Sequence, residues 1–407
     1  MINDDLAYRG AYITGCFHIC LNSDFDADLS KISNEDLGTF LHEYIHFLQN
    51  ISTPYGIFSA IMINNCMCEF VHSMKDKNEI YLPYTFNHSE DLLQRYKWYK
   101  CSLGTGHLDG ILDISRTTEI LFEEINEFPI KFHKVSFKAH ICYYNEPIDI
   151  IIGSTIIKEG MASMYQSLID DKVEHNDIPY NVLSFLCKKH FPNIANDTIK
   201  IICLCHISLF SLDPGFTLLN LLKTANNNPE LTGFQMFDEF LKTSKVMNSN
   251  NIVDKFNSLV DTYKESIRKM LSCEIKYIEE LLEKVKIQNG IVPILNVINT
   301  KEFNIESIKA LVSYLGIPFI HKRDGTQYYP QKEGEIIKCP DLISIVGNSI
   351  MKQYFMKPNT YVCPFMFMCD CTDDECYDSP WLHKNCIFEY GLQSISAKGK
   401  TIKSHTI

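Results

Sequence analysis

His42-Glu43-Tyr44-Ile45-His46 sits inside the stretch Leu37 to Ile51, which is apolar at Phe40, Leu41, Tyr44, Ile45, Phe47, Leu48 and Ile51. That spacing predicts a helix. Ser33 or Asn34 can cap it, Glu35 and Asp36 suit the positive end of its first turn, and Pro54 with Gly56 stops it. Residues four apart on a helix lie about 40° apart around the axis, so both imidazoles project from one face and can hold a single ion. Glu43 projects nearby, about 60° from the second histidine, where it can take a proton from water without being a ligand. The residue types suit that chemistry, because neutral imidazoles leave a cation enough charge to acidify water and the carboxylate accepts the proton. Two imidazoles and a carboxylate buried in so apolar a helix with no metal would leave costly unpaired polar groups.

A further ligand has to come from elsewhere in the chain. Glu159, in Ile156-Ile157-Lys158-Glu159-Gly160-Met161-Ala162-Ser163, is a lone carboxylate in a second buried helix expected over Ser154 to Ile169. Gly160 and Ala162 beside it are small, which would let two helices approach closely enough to share an ion. His140, on a strand expected from Lys134 to Tyr144, is the rival ligand. Mixed nitrogen and carboxylate ligation with one open position is the catalytic arrangement of zinc, with iron and manganese as the alternatives.

With these residues in place the chain resembles the zincin metallopeptidases, specifically the gluzincins, in which one helix carries His-Glu-x-x-His and a later helix supplies a Glu ligand. The resemblance covers two helices and the strand before the first, under a quarter of the chain. It implies Zn2+ on His42, His46 and Glu159, Glu43 as catalytic base, and hydrolysis of an amide bond in a peptide or protein substrate. It also implies a Tyr or His that stabilises the oxyanion, and Tyr144, Tyr165 and His140 lie in the right neighbourhood. The strand Ala11 to Cys20 is then a candidate edge for aligning an extended peptide. The 113 residues from His46 to Glu159 exceed the interval in familiar members, so an inserted region must separate the two helices. Two rivals stand beside this expectation. One is a non-catalytic zincin-like scaffold acting through other surfaces, against which an intact Glu43 argues; the other is a protease dedicated to one intracellular target.

Working outward, 407 residues at 45% hydrophobic composition can bury a sizeable core. The expected class is α+β and helix-rich, in three parts: a zincin-like catalytic part over 1–175, a helical part over 176–290, and a Cys-rich C-terminal part over 291–407. Within the first part, Gly10 to Asn22 reads as a strand and Ser23 to Asp28 as a turn, Ile57 to Ser73 as a helix, and Thr117 to Glu127 as another. In the second, the stripe Ile252, Phe256, Val260, Tyr263, Ile267, Met270, Ile278, Leu281 and Val285 predicts one long helix stopped by Asn289 and Gly290. A helix is also expected near Asp341 to Met356.

Sixteen cysteines in a chain of this size without a recognisable leader point to a reducing, cytoplasmic setting and free thiols. Cys363, Cys369, Cys371, Cys376, His383 and Cys386 crowd into a short C-terminal stretch and are candidates for a second, structural metal. Cys16, His18 and Cys20, the pair Cys66 and Cys68, and Cys203, Cys205 and His206 sit in apolar elements, where core packing is the expectation. A net charge of −12 with no basic run interleaved with aromatics argues against nucleic acid. The longest nearly apolar stretch, Ile201 to Leu212, falls short of the roughly 18 to 20 residues that cross a bilayer, so no membrane partner is expected.

Overall fold

The helix around His42 forms as its capping residues predict. In the computed structural model of the chain, Ser33 Oγ accepts the Asp36 N–H at 3.1 Å and α1 runs Asn34–Ser52. Thr53 ends it and caps the next helix, α2 (Pro54–Met74), by accepting the Gly56 N–H at 3.0 Å. The structure describes residues 9–356, 386–394 and 400–404, except 109, 114–115, 128–131, 143, 145, 245–250, 272, 288–293, 296–302, 323, 325, 333–334 and 337–338.

The segment before α1 is a hairpin rather than one strand followed by a turn. β1 (Gly10–Ile13) pairs antiparallel with β2 (His18–Leu21), and Gly15 at φ 74° lets the chain reverse between them. After α2 come β3 (Glu79–Leu82), α3 (Glu90–Leu103), β4 (Leu112–Asp113), β5 (Leu121–Ile125), β6 (Phe132–Ile141), β7 (Ile148–Ile151) and α4 (Ser154–Ser167). The long β6 pairs antiparallel with β4, β5 and β7. β5 overturns the helix expected over Thr117 to Glu127. Its five residues pair with Phe132 to Ser136, and a long neighbouring strand outweighs the modest helical preference of so short a segment.

The middle of the chain is helical, with α5 (Val182–His190), α6 (Thr198–Ser208), α7 (Pro214–Asn227), α8 (Gly233–Thr243), α9 (Ile252–Met270) and α10 (Lys276–Val285). The one long helix expected there is two. The stripe residues are all buried, yet the chain breaks between Met270 and Lys276, where Leu271 and Ile275 are buried as well. The Asp341 carboxylate accepts the Ile278 N–H at 3.0 Å, satisfying a first-turn donor of the new helix that a continuous helix would have bonded internally.

The remainder comprises α11 (Ile305–Leu315), β8 (Phe319–Lys322), β9 (Gln327–Tyr328), β10 (Gln331–Lys332), β11 (Glu335–Ile336), α12 (Pro340–Met356), α13 (Ile387–Ser394) and β12 (Thr401–Ser404). Two of these strands join sheets begun near the N-terminus: β8 lies parallel to β2 and β12 parallel to β3. The sheet nearest α1 therefore has the order β1-β2-β8-β9, with β1 at an edge among the described residues. The fold is mixed α and β and rich in helix, and its buried side chains form one cluster from Cys16 to Leu392. No helix among the described residues is long and apolar enough to cross a membrane. The described cysteines are free thiols.

Candidate metal centre

α1 and α4 pack against each other and bring the predicted ligands to one point. His42 Nε2 lies 3.2 Å from Glu159 Oε2, His46 Nε2 lies 3.1 Å from the same oxygen, and the two Nε2 atoms are 3.2 Å apart. Zinc bonded at about 2.0 to 2.1 Å in tetrahedral directions needs ligand atoms about 3.3 Å apart, so this triangle fits the ion and leaves one position open. Among the described residues the ionic partners of Glu159 are these two histidines. The neighbouring Lys158 reaches Asn50 Oδ1 at 3.0 Å and rides over the Tyr55 ring, so Glu159 is not neutralised by a lysine or arginine.

Two glutamines orient the imidazoles. His42 Nδ1–H donates to Gln166 Oε1 at 3.1 Å and His46 Nδ1–H donates to Gln49 Oε1 at 3.0 Å. An amide oxygen only accepts, so each ring carries its hydrogen on Nδ1 and turns Nε2 toward the shared point. Gln49 Nε2 also donates to the Lys158 carbonyl at 3.0 Å, tying the two ligand-bearing helices together one residue from Glu159. The glutamines lie three residues after His46 and seven after Glu159, on the ligand-bearing faces by helical periodicity. That spacing is the signal by which both are recognisable.

The charges interlock. Burial favours the neutral form of Glu159, but the adjoining His46 and His42 outweigh it and hold the carboxyl well below its usual range. Burial likewise disfavours the His46 cation, and here the Glu159 charge and hydrogen bond win, raising it to about 9. Glu43 differs: its burial raises its pKa despite the two histidines. Its carboxylate is met by the Tyr12 backbone N–H, and Gly10 crosses so closely that a Cβ there would come 2.8 Å from Glu43 Cγ. Glu43 is therefore clamped between α1 and the edge strand β1.

Gly160 acts at a different place from the one expected. A Cβ on Gly160 would come 2.9 Å from Leu183 Cδ1, so Gly160 serves the packing of α4 on α5. Close approach of α1 to α4 depends instead on Gly38, where a Cβ would come 3.1 Å from Asp170 Cβ and 3.2 Å from Gln166 Cγ.

His140 lies on β6 opposite Asp113 of β4 and is not part of the ligand cluster. Tyr144 is exposed, and Tyr165 is buried with its hydroxyl donating to the Ile294 carbonyl at 3.3 Å. The aromatic groups beside His42 are others: the His175 ring at 5.6 Å and the Tyr180 ring at 5.7 Å, stacked on each other at 4.4 Å. His175 Nε2–H shares the Gln166 oxygen at 2.9 Å, and burial, reinforced by His42, pushes its pKa down to about 4. Both belong to the irregular segment after α4, where no periodicity marks them. Cys363, Cys369, Cys371, Cys376 and His383 lie outside the described residues, while Cys386 is buried just before α13. No family model, curated protein or solved structure matches the chain.

Proposed function

We propose that the chain is a zinc-dependent hydrolase, a metallopeptidase of the gluzincin type, that holds its ion on His42, His46 and Glu159. The observation that carries this is the ligand triangle of 3.1 to 3.2 Å, with each imidazole turned inward by a glutamine and Glu43 buried beside it. Zinc bound there would supply a Lewis acid that polarises a carbonyl oxygen and makes water acidic near neutral pH. Glu43 takes a proton from the attacking water and returns it to the leaving amine. A carboxyl whose pKa is raised by burial suits both halves of that exchange. Tyr180, whose ring is set against His42, is assigned to the carbonyl oxygen as it gains charge, while His175 spends its one N–H on Gln166.

The choice of a peptide bond rests on the gluzincin resemblance and on the placement of β1. Among the described residues that strand is at a sheet edge, and its Gly10 and Tyr12 backbone touch Glu43. An extended peptide pairing with β1 would run past the base. Glu43→Gln keeps the shape and removes the proton acceptor. Its zinc content should match wild type, and zinc-dependent cleavage of a mixed peptide library, read as new termini by mass spectrometry, should fall at least 100-fold. Equal cleavage by both proteins would reject the mechanism, and zinc-loaded wild type that cleaves nothing in the library would leave the scaffold interpretation in its place.

A further inference from the structure

A second group of ligand-type side chains, distinct from His42, His46 and Glu159, is assembled on the sheet that contains β1. His18 and Cys20 are two residues apart on β2 and so share one face, while Ile19 and Leu21 take the other. β8 lies parallel with Cys20 opposite His321, which brings in a residue 303 positions from His18 along the chain. His18 Nε2 and His321 Nδ1 are 2.6 Å apart, and Cys20 Sγ lies 3.6 Å from the same His18 nitrogen. All three ligand atoms fall within 4.8 Å of one another. Both histidines are buried and Cys20 is half-buried.

The geometry points to a second zinc site on His18, Cys20 and His321, which supply three of the four tetrahedral positions. Tetrahedral zinc with bonds of about 2.0 to 2.1 Å to nitrogen and about 2.3 Å to sulfur requires about 3.6 Å between sulfur and nitrogen and about 3.3 Å between nitrogens. The sulfur-to-nitrogen separation already matches. The two rings converge more tightly than zinc needs and would part by roughly 0.7 Å, a small side-chain rotation. One thiolate with two imidazoles is a borderline-soft donor set of the kind zinc prefers.

The site's place in the fold gives the ion a structural role. β8 is reached only after some 300 intervening residues, and an ion bridging β2 and β8 would cross-link that long loop at one point. β2 in turn carries β1, whose Gly10 packs on Glu43. The ion would therefore hold in register the hairpin that packs on Glu43. The assignment stands on its own ligands and does not depend on the activity proposed for the α1–α4 centre.

Elemental analysis of the full-length protein separates the two sites. His46→Ala should lose one equivalent of zinc, Cys20→Ser and His321→Ala should each lose a different single equivalent, and His46→Ala combined with Cys20→Ser should lose both. Cys20→Ser and His321→Ala proteins with wild-type zinc content would overturn the site, whatever happens at His46. Where those variants are insoluble, Cys20→His, which keeps a ligating atom at the same register position, decides. Cobalt-loaded wild type should show near-ultraviolet thiolate-to-cobalt absorption that drops by one thiolate in Cys20→His at unchanged metal content. Unchanged absorption in that variant would equally overturn the assignment.

Discussion

Gln49→Leu tests whether the amide network, and not only the three proposed ligands, builds the candidate metal centre. Gln49 is fully buried, and leucine fills a similar space while removing both of its hydrogen bonds. One of these, from His46 Nδ1–H at 3.0 Å, fixes the tautomer and the ring direction that turn Nε2 toward Glu159 and the proposed ion. Losing such a partner of a ligating histidine typically costs 10- to 100-fold in metal affinity, about 1.4 to 2.7 kcal/mol. The other, to the Lys158 carbonyl at 3.0 Å, links α1 to the α4 backbone without involving a proposed ligand's ring and so bears on folding. The Lys158 carbonyl keeps its helical partner within α4, so losing this second bond should lower the stability of the zinc-free protein by about 0.5 to 1.5 kcal/mol. The two effects are read separately, as a zinc Kd from competition with a chromophoric chelator and as denaturant unfolding of the zinc-free chain. Gln166→Leu provides a comparison, because its oxygen serves His42 and His175 while its side chain makes no bond to the α1 backbone. A folded Gln49→Leu protein with the wild-type Kd would refute the reasoning, since His46 would then need no orienting partner.

Gly10→Ala places a methyl 2.8 Å from Glu43 Cγ, so the carboxylate must shift by several tenths of an ångström. Zinc content should be unchanged while kcat/KM falls by about 10- to 100-fold, and full activity would show that β1 does not position the base. Tyr180→Phe keeps the ring that lies 5.7 Å from the His42 ring, removes its hydroxyl, and should lower kcat by about 10- to 100-fold with zinc retained; wild-type kcat would remove Tyr180 from the site. His206, fully buried on α6 between Phe210 and Phe237, has neither ring nitrogen hydrogen-bonded among the described residues, and burial lowers its pKa to about 3. Its folded pKa lies below the unfolded value of about 6.5, so between those limits the unfolded chain binds the extra proton, and stability drops by about 1.4 kcal/mol for each unit the pH is lowered. His206→Leu should flatten the pH dependence of unfolding free energy by that slope between about pH 6 and 4, and parallel curves for the two proteins would contradict it.

The parts of this molecule legible in its sequence are those written in local periodicity. Ser33, Glu35 and Pro54 bracket α1, and a four-residue step puts His42 beside His46 before any tertiary contact forms. The same rule would have nominated Gln49 and Gln166, since a ligand-bearing helix face also carries what orients its ligands. Glu159 was accessible for a different reason, as a carboxylate stranded in an apolar helix requires a partner. What stayed hidden depends on pairings that no short window contains. β5 became a strand because β6 was beside it, and the stripe from Ile252 to Val285 was cut where Asp341 supplied a cap from a distant part of the chain.

His18, Cys20 and His321 carry that contrast furthest. Within their own segment His18 and Cys20 look like core residues, and they are indeed buried or half-buried. Only the parallel pairing of β2 with β8 sets a second imidazole on the same face, and parallel strands need long connections, so sequence proximity is no guide to such a cluster. The two candidate metal sites thus use opposite strategies. One draws two ligands from a single turn of helix and needs just one long-range contact to complete it, whereas the other is assembled across a sheet. The α1 pair keeps its spacing wherever its helix persists, whereas separation of β8 from β2 would dismantle the His18–Cys20–His321 cluster at once.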